Sequence, residues 1–232
     1  MLNSTIQLKI KQRLNKLDSQ DYDNLECWHI VEAFNKAQVE WCRRQLHGFN
    51  QFKEGDEQSN RRIDDLQILL TEASISLTDK EGYSFGTIPA DYFQWKRISI
   101  YAKNECCPVK KLVVYLVEEG NLDIILKDTN KRPSFDWGET VATLRDGKIY
   151  VYTNEEFEIT KGSFIYYRQP RRIQITGCVD PYTGITSTTD VTSEFKDDVV
   201  EVMIDEAASI LAGDMEIFTQ YQREQQRVEQ NN

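Results

Sequence analysis

"VATLRDGKIYVYT" (141–153) alternates apolar and polar residues on both sides of Asp146–Gly147. An Asp-Gly pair tolerates the positive φ angles of a type I′ turn, so this stretch predicts a two-residue β-hairpin. Working outward, "WKRISIYA" (95–102) sets Ile98, Ile100 and Ala102 on one face of a strand. "KLVVYLV" (111–117) is apolar on both faces, the pattern of a central strand covered on two sides. "LDIIL" (122–126) follows the turn-like "EEGN" and predicts a further strand. "FEIT" and "SFIYYR" flank Lys161–Gly162 as a second hairpin candidate, and "RIQIT" (172–176) is a candidate strand. "CVDPYTGITSTTD" (178–190) is rich in Pro, Gly and Thr and reads as a loop.

On either side of this region the period changes from 2 to 3.6. Ile6, Ile10, Leu14 and Leu17 form one helical face, with Ser4 or Thr5 as the expected cap. "DSQDYDN" (18–24) is a polar break. In "ECWHIVEAFNKAQVEWCRRQLH" (26–47), Ile30, Phe34, Ala37 and Trp41 make an apolar stripe, with Glu32, Lys36, Glu40 and Arg43 on the other side. "GFNQFKEGDEQSN" (48–60) reads as a loop, and "RRIDDLQILLTEA" (61–73) as a short helix or irregular apolar segment. A last helix is expected from about Ser193, with Glu194, Asp197 and Asp198 favouring the positive end of its dipole. Its stripe is Met203, Ala207, Ile210, Leu211, Ile217, Phe218 and Tyr221, and the Gln-rich end after it has little to bury.

The order of elements predicts an α+β protein. N- and C-terminal helices (1–75 with 191–232) would form a helical bundle, with an inserted, mainly antiparallel β domain at 76–190.

Several chemistries lack their residues. Cys27, His29, Cys42 and His47 resemble a zinc set. On one helix, however, the two histidines stand about 27 Å apart and the two cysteines about 22 Å, too far for one ion. No metal and no cofactor is expected. The five cysteines are irregularly spaced, with Cys106–Cys107 adjacent, and are read as reduced thiols from a reducing compartment. There is no Gly-rich phosphate loop, no G-x-S-x-G and no H-E-x-x-H, so no catalytic residue is assigned and no enzyme is expected. The start of the chain lacks the apolar core of a secretory signal, and no run approaches the ~20 apolar residues of a membrane span.

The formal charge is −10, from 38 acidic against 28 basic residues. That argues against wrapping nucleic acid as the main task, leaves room for a local basic patch, and suits a surface that DNA passes without sticking. "YYRQPRRIQ" (166–174) departs from the acidic average. Tyr166, Tyr167, Arg168, Pro170, Arg171 and Arg172 are candidate partner-binding residues, because Tyr and Arg favour interfaces. Phe218 and Tyr221, near the polar end, are candidates too. Pro170 lacks an N–H and should lie at a sheet edge or outside it.

Several stretches taken in order resemble the head–tail connector (adaptor or ring) proteins of tailed phages, most closely those of crAss-like short-tailed phages. "RLNKLDSQDYDN" (13–24) running into "VEAFNKAQVEWCRRQLHG" (31–48) resembles their N-terminal helical pair. "DLQILL" (65–70) and "IPADYFQWKRIS" (88–99) resemble the passage from helix to sheet. "FIYYRQPRRIQ" (164–174), a loop, and "DDVVEVMIDEAASIL" (197–211) resemble the C-terminal half. The likeness implies a virion protein made in the host cytoplasm and placed at the head–tail junction. It also implies a homo-oligomeric ring of about twelve copies docked on the portal protein. Such a ring receives the next tail or connector protein, and packaged DNA passes through it without specific binding. No membrane partner is implied. The rivals are another tail, hub or baseplate-type adaptor, and a glycan- or peptide-binding β module using Trp95 and Trp137.

Overall fold

The computed structural model describes residues 1–14, 25–47, 60–105, 107–215 and 225–227. The break read at 18–24, the loop read at 48–60 (apart from Asn60), Leu17, Cys106, Ile217 and most of the Gln-rich end lie outside them. Five α-helices are described: α1 (Asn3–Arg13), α2 (Cys27–His47), α3 (Asn60–Leu66), α4 (Leu122–Lys127) and α5 (Asp197–Asp214). The chain divides into two compact units, residues 1–68 with 170–232, and residues 69–169.

The second unit is a sheet of eight strands: β1 (Leu70–Ile75), β2 (Thr78–Lys80), β3 (Tyr83–Thr87), β4 (Tyr92–Asn104), β5 (Cys107–Leu116), β6 (Glu139–Arg145), β7 (Lys148–Tyr152) and β8 (Glu158–Arg168). They lie in the order β1-β8-β4-β5-β6-β7-β3-β2. The pairing is antiparallel throughout except between β5 and β6, which run parallel. A parallel pair needs a crossover, and α4 with the turns at 128–138 provides it. One face of the sheet carries the core: Ile98, Ile100, Leu112, Val114, Ala142, Ile149, Val151 and Phe164.

Several expectations hold. The β6–β7 hairpin turns at Asp146 (φ 51°) and Gly147 (φ 66°), both in the left-handed region a type I′ turn requires. Ile98, Ile100 and Ala102 are buried together on β4. Ile30, Phe34, Ala37 and Trp41 are buried along α2, and Ile6, Ile10 and Leu14 are fully buried, on or just past α1.

Others are corrected. The chain is not a helical bundle with an inserted, mainly antiparallel β domain. Its dominant element is one eight-stranded mixed sheet, whose first strand, β1, comes from the segment read as helix. "LDIIL" is helix α4: Leu122 is buried and Ile125 and Leu126 are half-buried, the i, i+3, i+4 spacing of a helix face. Lys161–Gly162 is no turn, because β8 runs through it unbroken. β5 is covered on one face only, with a burial pattern that alternates over Leu112–Tyr115. α1 starts without a side-chain cap, and α5 begins at Asp197, not Ser193.

Gly162 and Gly86 have a common reason. β1 and β2 are the two edges of the sheet, yet only Ser76 and Leu77 separate them in sequence. The chain therefore crosses from one edge to the other at this corner. A Cβ on Gly86 would stand 2.4 Å from Ile75 Cγ2 and 3.0 Å from the Ser76 carbonyl oxygen. One on Gly162 would meet Leu77 at 3.3 Å. Gly86→Val should cost about 1–3 kcal/mol by overpacking, since Ile75 is buried and branched and cannot swing away. Urea unfolding should show a lowered midpoint, while Gly120→Ala, with open space around it, should leave the midpoint in place.

In the first unit α5 packs against both α1 and α2. From Met203 to Ser209 it is buried on every side, and that run includes Asp205 and Glu206. Their charges are met by basic side chains. Arg13 Nε donates to Asp205 at 2.6 Å, Arg44 pairs with Glu206, and Lys9 with Glu201. Residues 170–196 return to α5 as extended chain with only isolated bridges, so the strand read at 172–176 is reduced to one bridge, Gln174 to Val191. Buried amides replace the missing ladder. Asn35 accepts from the Ile173 N–H (2.8 Å) and donates to its carbonyl (3.3 Å), and Asn3 donates to the Gln174 carbonyl (2.8 Å). Cys27 and Cys178 form a disulfide, which corrects the expectation of reduced thiols throughout.

Candidate interaction surface

The residues singled out by sequence divide between the two units. Tyr166 and Tyr167 are core residues of β8, 2% and 6% exposed. The Tyr166 hydroxyl donates to Asp91 Oδ1 at 2.7 Å, and its ring stacks on Phe164. Lys96 lies over the Tyr167 ring, and half-buried Arg168 donates to the Gln169 carbonyl. In the first unit Pro170 is buried, and Arg171 and Arg172 are exposed. The Arg171 N–H donates to Glu194. Phe218 and Tyr221 lie outside the described residues.

Burial first, and the Asp91 carboxylate second, push the Tyr166 phenol from 10.0 up to about 12. The neutral phenol is thus favoured by folding. Its contribution is fully present below pH 10 and is lost as the pH climbs through about 12. Tyr92, Tyr115 and Tyr152 are shifted upward too, so a phenolate absorbance titration should show several tyrosines ionising late, and Tyr166→Phe should reduce that late amplitude by one tyrosine.

The surface that sequence reading missed is the outer face of β4, β5 and β8. Register places Lys111, Tyr101 and Lys161 in one row across three strands. Side chains two residues along a strand share a face, so Val109, Val113 and Tyr115 extend that row along β5. They are not covered: Val109 is 55% exposed, Val113 54% and Tyr115 51%. Val113 and Tyr115 are neighbours along this face and Val109 lies beyond Lys111, so the row is an exposed mixture of apolar and basic side chains, a composition that suits an interaction surface. Lys111 stands between Val109 and Val113, Lys161 lies across β4 from it, and both are exposed. The sequence signal was present in Val109, Val113 and Tyr115 of "VKKLVVY", but a strand apolar on both faces reads equally as one buried on both.

The other chemistries are placed plainly. His29 stacks on Trp28, and its Nδ1 accepts from the Glu26 N–H at 3.2 Å. Burial pushes the Cys42 thiol up to about 12, which keeps it unreactive, while Cys107 is exposed at the start of β5. Among the described residues no three His, Cys, Asp or Glu are grouped to hold a metal ion. Among them also, no helix is long and apolar enough to cross a membrane. Compared with protein-family models and with curated proteins, the chain matches none.

Proposed function

We propose that this chain is a structural virion protein, the subunit of a head–tail connector ring that docks under the portal, forms part of the DNA channel and joins the capsid to the tail. Its partners are further copies of itself, about twelve in a closed ring, the portal protein and the next tail or connector protein. DNA slides past without specific binding, and the chain performs no catalytic step. The order of the motifs from 13 to 211 supports this class.

The observation that carries the proposal is the outer face of β5. A second copy is a suitable occupant because the face combines exposed apolar side chains with Lys111 and Lys161, while the chain as a whole carries −10. Apolar side chains bury well, and charges of opposite sign set orientation and encounter rate. The same net charge suits a channel wall, since like charges keep DNA from adhering.

Val113→Glu tests the face. The side chain is half exposed, so a carboxylate there leaves folding intact yet would be buried unpaired in a contact. Light scattering of the wild type, alone and with a portal ring, should give assemblies of defined mass, and the variant should lose them with an unchanged circular dichroism spectrum. A wild-type chain that stays a strict monomer and never joins the portal would sink the reading.

A further inference from the structure

Trp137 is 73% exposed, whereas Trp28, Trp41 and Trp95 are buried or half-buried. The turn that carries it is anchored. Phe135, two residues earlier, is 5% exposed and packs on Phe157 with ring centroids 6.2 Å apart. Lys110 Nζ donates to the carbonyls of Phe135 (3.2 Å) and Asp136 (2.8 Å) and lies over the Phe135 ring. Ser134 and Glu139 exchange both backbone hydrogen bonds, and Gly138 closes the turn at φ 75°. A pinned backbone therefore holds the indole in water.

Beside it is a cavity of about 390 Å³, within the range of about 300–1,000 Å³ of small-molecule sites. Asn104, Asn130, Asp136, Glu139 and Arg132 contribute to its wall, and Arg132 faces the Glu156 carboxylate at 4.0 Å. Amides and carboxylates outnumber the cation. The wall thus offers many acceptors, several donors and an excess of negative charge.

We propose that Trp137 and this cavity form a binding site for a neutral saccharide. The C–H bonds on the face of a pyranose ring carry slight positive charge and suit the negative face of an indole. Vicinal hydroxyls donate to Asp136 and Glu139 and pair with the Asn130 and Asn104 amides, and bonds to the ionised carboxylates are the strong ones. The carboxylates repel phosphate, so a nucleotide, which could also stack on the indole, is disfavoured. The site does not use Val113, but it adjoins the ring-forming face, because the Tyr115 hydroxyl donates to Glu139 Oε1 at 3.3 Å.

The test uses the full chain and a defined panel: cellobiose, mannobiose, lactose and N-acetylchitobiose, with AMP as the charged comparison. Indole fluorescence and calorimetry should give saturable binding of at least one disaccharide and none of AMP. Trp137→Ala should weaken it by about tenfold or more, with an unchanged unfolding midpoint because the side chain is exposed. Asp136→Ala should weaken it in the same titration, which guards against an effect of the indole alone. Absence of saturable binding across the panel, binding that survives Trp137→Ala, or preference for AMP would each overturn the assignment.

Discussion

Glu206→Ala should destabilise the first unit by about 3–5 kcal/mol. The Glu206 side chain is 6% exposed and pairs with Arg44, which is 19% exposed. Burial is the leading influence on the Arg44 guanidinium and lowers its affinity for a proton, with Glu40 acting the other way. Removing the carboxylate leaves that cation in a site with little water to replace it. The cost is therefore mostly desolvation left unbalanced, not the worth of one contact. Replacing both partners separates the two effects. Arg44→Met with Glu206→Leu keeps volume and removes both charges, and should recover most of the loss. Asp197→Ala makes the contrast at the surface. Asp197 is 73% exposed where it meets the N-terminal amine at 2.7 Å, and its loss should cost well under 1 kcal/mol. Urea midpoints for the four proteins at one pH decide this. Equal losses for Glu206→Ala and Asp197→Ala would contradict the buried pair.

Reducing the Cys27–Cys178 disulfide should cost about 2–5 kcal/mol. The bond spans a sequence separation of 151 residues, so opening it restores a large conformational freedom to the unfolded chain. It also ties the first residue of α2 to the extended return segment, which has few backbone pairs of its own. The wild-type unfolding midpoint should fall on addition of a reductant. Cys27→Ser with Cys178→Ser should start at the lower midpoint and no longer respond. Asn35 still holds Ile173 in that variant, so the unit should remain folded. A midpoint indifferent to reductant in the wild type would show that the bond carries no stability.

The features legible in the sequence are those fixed over a few residues. Asp146–Gly147 dictates its own backbone angles, and the β6–β7 hairpin follows. The stripes on α1 and α2 and the row on β4 repeat with one period for long enough to be read. What misled was decided by distant chain. Lys161–Gly162 resembles a turn because Gly often marks one, yet Gly162 is there to leave room for Leu77 at the corner. "LDIIL" is five residues long, too short for its period to separate strand from helix. β1 was hidden in an apolar run whose partner, β8, lies about ninety residues on.

The same limit governs the sites. Asp205 and Glu206 look like a solvated pair in a helix, and only the arrival of Arg13 and Arg44 makes their burial affordable. A pairing between Cys27 and Cys178 has no local signature, because connectivity does not follow from spacing. Tyr166 and Tyr167 have the composition of an interface, but adjacent positions on β8 place both in covered surroundings. Val113 and Tyr115, read as doubly buried, are the ones that face water.

The proposed ring of this chain at the junction of head and tail has a direct test. Electron cryo-microscopy of particles that incorporate it, reconstructed at the tailed vertex, tests this most directly. The account predicts a closed ring of its copies directly beneath the portal, with the outer face of β5 buried against the neighbouring copy. Absence of the chain from the particle, or its placement away from that vertex, would contradict the account.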